Sequence, residues 1–112
     1  QVMNILGDVK GKTCIIVDDI IDSGGTIVNA VAALKKSGAQ DVYVFCTHGV
    51  LSGEAVNKIK NSKIKKLIIT DTIDNSGKIK NNSKIELISI APLMAEAINR
   101  ISNSTSVSDL FN

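Results

Sequence analysis

Aromatic side chains are nearly missing from this sequence, which has one tyrosine, two phenylalanines and no tryptophan in 112 residues. Binders of single-stranded nucleic acid stack bases on such rings, so that class is disfavoured at the outset. Charge of one sign is lacking too: 13 basic and 11 acidic residues leave a net charge of +2. So even a balance gives no steering field, and neither a nucleic acid nor an anionic membrane is expected as partner. No apolar run approaches the roughly 20 residues of a membrane span. No charged start followed by an apolar stretch and a small-residue cleavage site marks an export signal, so the expected location is cytoplasmic. Cysteine is reduced to Cys14 and Cys46. Both sit inside apolar runs, as reduced core thiols do, rather than in the spacing of a disulfide framework or metal site. With a single proline, no Pro/Gly-rich linker, no repeat and no low-complexity tract, the chain reads as one domain over residues 1–112. Gln1 in place of a start methionine suggests a piece of something longer.

What is present is a 44% hydrophobic composition, enough for one modest core. Apolar runs alternate with stretches of helical period. Residues 13–19 (TCIIVDD) form a short run bounded by Gly11 and by acids, the pattern of a strand buried on both faces. Residues 25–37 place Ile27, Val31 and Leu34 on one helical face, with Lys35 and Lys36 in the last turn and Gly38 as the stop. A second strand follows at 42–46. Ser52 is placed to cap a helix running through Ile59, with Glu54 in its first turn. Strands at 67–69 and 85–90 come next, and Pro92 opens a last helix on which Met94, Ile98 and Ile101 share a face. The order βαβαββα requires crossovers, so the predicted fold is α/β, a mainly parallel sheet flanked by helices. Ligands of such sheets bind beyond the carboxyl ends of the strands.

At the first of those ends stands Asp18-Asp19-Ile20-Ile21-Asp22-Ser23-Gly24-Gly25-Thr26. Ser23, Gly24, Gly25 and Thr26 lead into a helix N-terminus, where unpaired N–H groups and the positive end of the dipole favour a phosphate. The glycines permit a tight turn and close backbone approach, and the Ser23 and Thr26 hydroxyls add donors. Asp18 and Asp19, adjacent at a strand end, point in opposite directions, so at least one carboxylate reaches the crevice. Carboxylates accept hydrogen bonds from paired sugar hydroxyls, and the string reads as a device that holds ribose 5-phosphate by both ends. Asp22, an acid inside a phosphate loop, is expected to turn aside and bond the loop's own backbone. His48, the only histidine, is expected to make a loop-fixing hydrogen bond, with proton shuttling as the lesser alternative.

Hydrophobic strand, two acids, two aliphatics, acid and small-Gly-Gly-Thr together resemble the phosphoribosyl-pyrophosphate (PRPP) motif of the type I phosphoribosyltransferase fold. The resemblance extends to ribose-phosphate pyrophosphokinases through VKGK at 9–12, THGVLSG at 47–53, TDTI at 70–73, AEAI at 95–98 and SVSDLF at 106–111. Asp74 and Glu54 depart from it, standing where that family often has proline. The resemblance implies a C-terminal, phosphoribosyltransferase-like part of such an enzyme, which with Mg2+ transfers diphosphate from ATP to ribose 5-phosphate and releases PRPP and AMP. On that reading Asp18 and Asp19 face the ribose hydroxyls and the metal, and Asp22, Ser23, Gly24, Gly25 and Thr26 hold the 5′-phosphate. No residue of this chain is assigned to catalysis, because the family's basic catalytic loop lies upstream. The resemblance further implies a hexamer, with Ser106, Val107, Ser108 and Phe111 contributing to an allosteric phosphate or ADP site and Phe111 anchoring the tail. Three alternatives stand beside it: a non-catalytic regulatory subunit of the same family, a nucleobase phosphoribosyltransferase, and a receiver-type signalling domain with Asp71 as phosphoacceptor.

Overall fold

The computed structural model describes residues 5–111, so Gln1 lies outside the described residues. Strands β1 (Thr13–Ile21), β2 (Asp41–Gly49), β3 (Lys66–Thr70) and β4 (Ile85–Ile88) alternate with helices α1 (Gly25–Lys36), α2 (Ala55–Lys60) and α3 (Ser76–Ile79). Helix α4 (Ala91–Ser102) and a 3-10 turn (Ser108–Phe111) complete the chain. All strand pairs are parallel and lie in the sequential order β1-β2-β3-β4. Sequential order with right-handed crossovers stacks the connecting helices on one side of the sheet. The core follows from that: Ile27 and Val31 of α1 and Ala55 and Ile59 of α2 close over Val42, Val44, Cys46, Leu67 and Ile69. Fully burying one such aliphatic side chain stabilises the fold by about 1.5–3 kcal/mol. Gly38, at φ 98, ends α1 as the sequence predicts, and the amide after it, on Ala39, bonds back to the Leu34 carbonyl.

Several expectations are corrected. The first strand is covered on one face only, with Ile15 at 62% and Val17 at 80% exposure. Their neighbours in register, Tyr43 and Phe45, continue the same open face across β2. The third connection, expected to lack a helix, contains the single turn α3. β4 stops two residues short of the predicted 85–90, because the Ile90 amide turns to the Asp71 carboxylate (2.9 Å) and the Ala91 amide to the Ser89 hydroxyl. Pro92 does sit in the first turn of α4, but Met94, Ile98 and Ile101 are 51%, 62% and 68% exposed, and α4 buries no residue. The Cα radius of gyration of 16.6 Å exceeds the roughly 13 Å of a compact domain of this size, as an unpacked terminal helix and tail require. Among the described residues no helix is long and apolar enough to cross a membrane.

Candidate functional site

β1 runs two residues beyond its predicted end, because its pairing continues through Ile20 with His48 and Ile21 with Gly49. The acids therefore lie inside the strand, and the loop that leaves it is only Asp22, Ser23 and Gly24. Gly24 is the N-cap of α1 at φ 85, ψ −4, a left-handed conformation that glycine adopts without steric cost. The turn points the chain straight into the helix. The first intrahelical bond runs from the Val28 amide to the Gly24 carbonyl (3.0 Å), and no side chain caps the end. The amides of Gly25, Thr26 and Ile27 thus face the loop with no protein acceptor among the described residues.

A cavity of about 270 Å³ opens there. Asp18, Asp22, Ser23, Gly24 and Thr26 supply its polar wall, and Ile20, Ile21 and Ile27 its apolar floor. Gly25 does not line it, although a β-carbon at Gly25 would project into open space. Of the two strand acids, Asp18 is half-buried and lines the cavity, whereas Asp19 is exposed and does not line it. The Asp19 amide donates to Asp18 Oδ1 at 2.8 Å, fixing that carboxylate's attitude. No lysine or arginine lines the cavity.

Asp22 does not bond its own loop's backbone, as the sequence led one to expect. Its Oδ1 accepts from the Ser52 hydroxyl at 2.5 Å, while its carbonyl accepts from the Ser52 amide at 3.0 Å. Ser52 is correspondingly not the cap of α2. Glu54 holds the N-cap position instead, rather than the first turn, and it accepts from the Asn57 side chain at 2.6 Å. His48 Nδ1 lies 2.8 Å from Thr72 Oγ1, tying the end of β2 to the segment after β3. That is the loop-fixing bond expected of it. Cys14 and Cys46 are both free thiols. Burial pushes the Cys46 thiol pKa up, and its Sγ contacts the His48 and Asp19 carbonyls at 3.4 and 3.6 Å.

Magnesium normally takes one or two carboxylates and completes its shell with water and substrate oxygens. Among the described residues no three His, Cys, Asp or Glu side chains converge on one point. Asp18 fits as a lone protein ligand beside a phosphorylated substrate. Asp19 is exposed beside it and does not line the cavity.

At the far end of the chain, Ser106 Oγ and Ser108 Oγ stand 2.8 Å apart, and Arg100 Nη1 donates to the Ser106 carbonyl. Val107 is half-buried. Phe111, in the 3-10 turn, is 71% exposed. Asp71 caps the approach to α4. Hydrogen bonds from the Ser89 side chain and the Ile90 amide hold its carboxyl below the usual aspartate range.

A family model described as "Phosphoribosyl synthetase-associated domain" matches residues 1–112. Ribose-phosphate pyrophosphokinase of Clostridium tetani is 56% identical over 112 residues, which is the whole of this chain and 35% of that protein. The enzyme of the same name from Hyphomonas neptunium is 52% identical over the same length, 36% of its own. The crystal structure of phosphoribosylpyrophosphate synthetase from Mycobacterium smegmatis superposes with a TM-score of 0.84 at 42% identity, covering 88% of this chain and 33% of that one. The chain spans about a third of the length of the relatives it matches.

Proposed function

Because the chain belongs to the phosphoribosyl synthetase-associated domain family, we propose that it is the sugar-phosphate-holding, C-terminal part of a cytoplasmic ribose-phosphate pyrophosphokinase. The observation that carries this reading is the meeting, in one cavity, of the uncapped start of α1 with the Asp18 carboxylate. The amides of Gly25 to Ile27 and the hydroxyls of Ser23 and Thr26 would take the 5′-phosphate, since a helix N-terminus supplies oriented donors and a positive dipole end to an anion. Asp18 would accept from the ribose hydroxyls and so fix the ring. Asp22 would shape the loop, and Asp19, exposed beside Asp18, would serve the ribose hydroxyls and the metal with it.

In the complete enzyme the anomeric oxygen of ribose 5-phosphate forms a bond to the β-phosphorus of ATP. The bond between that phosphorus and the α–β bridging oxygen breaks, AMP leaves with the electron pair, and the proton of the anomeric hydroxyl is released to solvent. Magnesium, when bound, neutralises charge on the transferring phosphates, and Asp18 would hold it. This chain's residues orient the acceptor sugar. The remaining two thirds of the enzyme would supply the ATP site and cover the open face of the sheet, whose Ile15, Val17 and Phe45 side chains read as an interior surface. The hexamer and the phosphate or ADP site at Ser106, Val107, Ser108 and Phe111 belong to the same proposal, because such a site is completed by a neighbouring subunit.

Isothermal calorimetry on the 112-residue chain tests the reading. Ribose 5-phosphate should bind detectably, in the millimolar range that a single anion site supports, and free ribose should give no heat of binding. Equal heats from the two sugars would refute it, because the phosphate grip would then be idle.

A further inference from the structure

Resting on that reading of the cavity, we infer that Ser52 is a positioning residue: the turn after β2 is a strut that holds the phosphate loop in its receptive shape. The contacts run in one direction across the carboxyl ends of three strands. The Val50 and Leu51 amides donate to the Ile21 carbonyl (2.9 and 3.2 Å), and the Ser52 amide donates to the Asp22 carbonyl (3.0 Å). The Ser52 hydroxyl adds the fourth bond, to Asp22 Oδ1 at 2.5 Å. So short an O–H···O⁻ contact belongs to the charge-assisted class.

The strut is itself held from behind. Asn75 Nδ2 donates to the Gly49 carbonyl at 2.6 Å, and Lys78 Nζ donates to the Val50 and Leu51 carbonyls at 3.2 Å each. Leu51 sits at φ 53, a left-handed conformation unusual for leucine, with its side chain 1% exposed. Backbone in that region persists where its surroundings over-determine it, and such places concentrate at functional sites. Asn75 is 2% exposed and its Oδ1 has no hydrogen-bond partner. Leaving a buried acceptor unmet is costly. The other end of the same amide pins the strut at Gly49 and also reaches the Ile73 carbonyl at 3.5 Å.

The chemistry explains why the loop requires holding. Asp22 lines the cavity meant for a phosphate. An unrestrained carboxylate there would swing toward the donors that the phosphate requires, or repel the phosphate outright. Ser52 gives that carboxylate a fixed donor on the neighbouring loop, and its amide fixes the backbone of the same residue. The acid stays in place and the α1 amides stay vacant for the ligand.

The test measures ribose 5-phosphate affinity of the chain by calorimetry, with circular dichroism as the check on folding. Ser52→Ala should weaken binding about tenfold, the scale of one hydrogen bond to a charged group. Ser52→Thr, which keeps the hydroxyl, should stay within about twofold of the parent. Adding Asp22→Asn to Ser52→Ala should recover most of the loss, a rescue that no purely structural role for Ser52 would produce. Lys78→Met, at an exposed position, should weaken binding about threefold while leaving the fold intact, and it serves should Ser52→Ala not fold. A parent chain that binds while Ser52→Ala or Lys78→Met binds equally well overturns the strut alone. A parent chain that does not bind ribose 5-phosphate overturns the reading of the cavity, and the strut with it.

Discussion

The isolated 112-residue chain, supplied with ATP, ribose 5-phosphate and Mg2+, should form PRPP at least about a thousandfold more slowly than the complete enzyme. Transfer of a charged phosphoryl-type group depends on positioning and on neutralising the charge that spreads over its oxygens, and removing a single supporting cation costs about 10³-fold or more. The cavity here is lined by two acids and no base. No lysine or arginine among its lining residues offers the developing charge a partner, so on the proposed reading the chain would hold a sugar phosphate without activating what attacks or leaves. The check is a coupled assay for AMP release on the chain and on the full-length enzyme at equal molarity. Turnover within tenfold of the complete enzyme would mean that the cationic machinery lies within these residues, contrary to the site described.

The second large effect concerns the two glycines, which serve different ends. Gly24 is at φ 85, and a β-carbon there would stand 3.7 Å from the Cα and Cβ of Ala55 and 3.8 Å from its carbonyl oxygen. A β-branched residue in left-handed backbone is strained by more than the roughly 1–2 kcal/mol that any L-residue loses there. In Gly24→Val the loop would escape by leaving the left-handed region, which swings Ser23 and the first α1 amides off the cavity. Ligand binding must then restore the strained form, so ribose 5-phosphate affinity should fall by tenfold or more, with only a modest drop in melting temperature. Gly25 has no positive φ, and a β-carbon there meets nothing within 4 Å. Gly25→Ala should leave the fold untouched and, because Gly25 lies off the cavity wall, should cost far less binding than Gly24→Val. Gly24→Val binding at parental strength would show that the left-handed turn is not needed.

The alternation of strand and helix was legible because its signals are local: the TCIIVDD run, the Ile27–Val31–Leu34 face, Gly38 at a helix end. The turn at Gly24 was legible for the same reason. The partner of Asp22 was not, since Ser52 lies 30 residues away and its hydroxyl suits a helix cap equally well on local grounds. Helix α3 has four residues, too few to display a period. The double burial expected of β1 failed for a different reason. Ile15 and Val17 are what an interior strand carries, and α4 carries Leu93, Met94, Ile98 and Ile101 in the same spirit, yet within these residues no neighbour covers them. The chain matches about a third of its relatives' length, and on the proposed reading these apolar faces would be covered by the rest of such an enzyme. That at least one of Asp18 and Asp19 reaches the crevice was legible from their adjacency, but that it is Asp18 that lines the cavity required the folded strand end.

One measurement bears most directly on the central claim. Ribose 5-phosphate titrated into 15N-labelled chain should shift the backbone amide signals of Ser23, Gly24, Gly25 and Thr26 selectively and saturably, with free ribose leaving them in place. Shifts confined to the open face around Val17 and Phe45, with those four amides unmoved, would contradict the account.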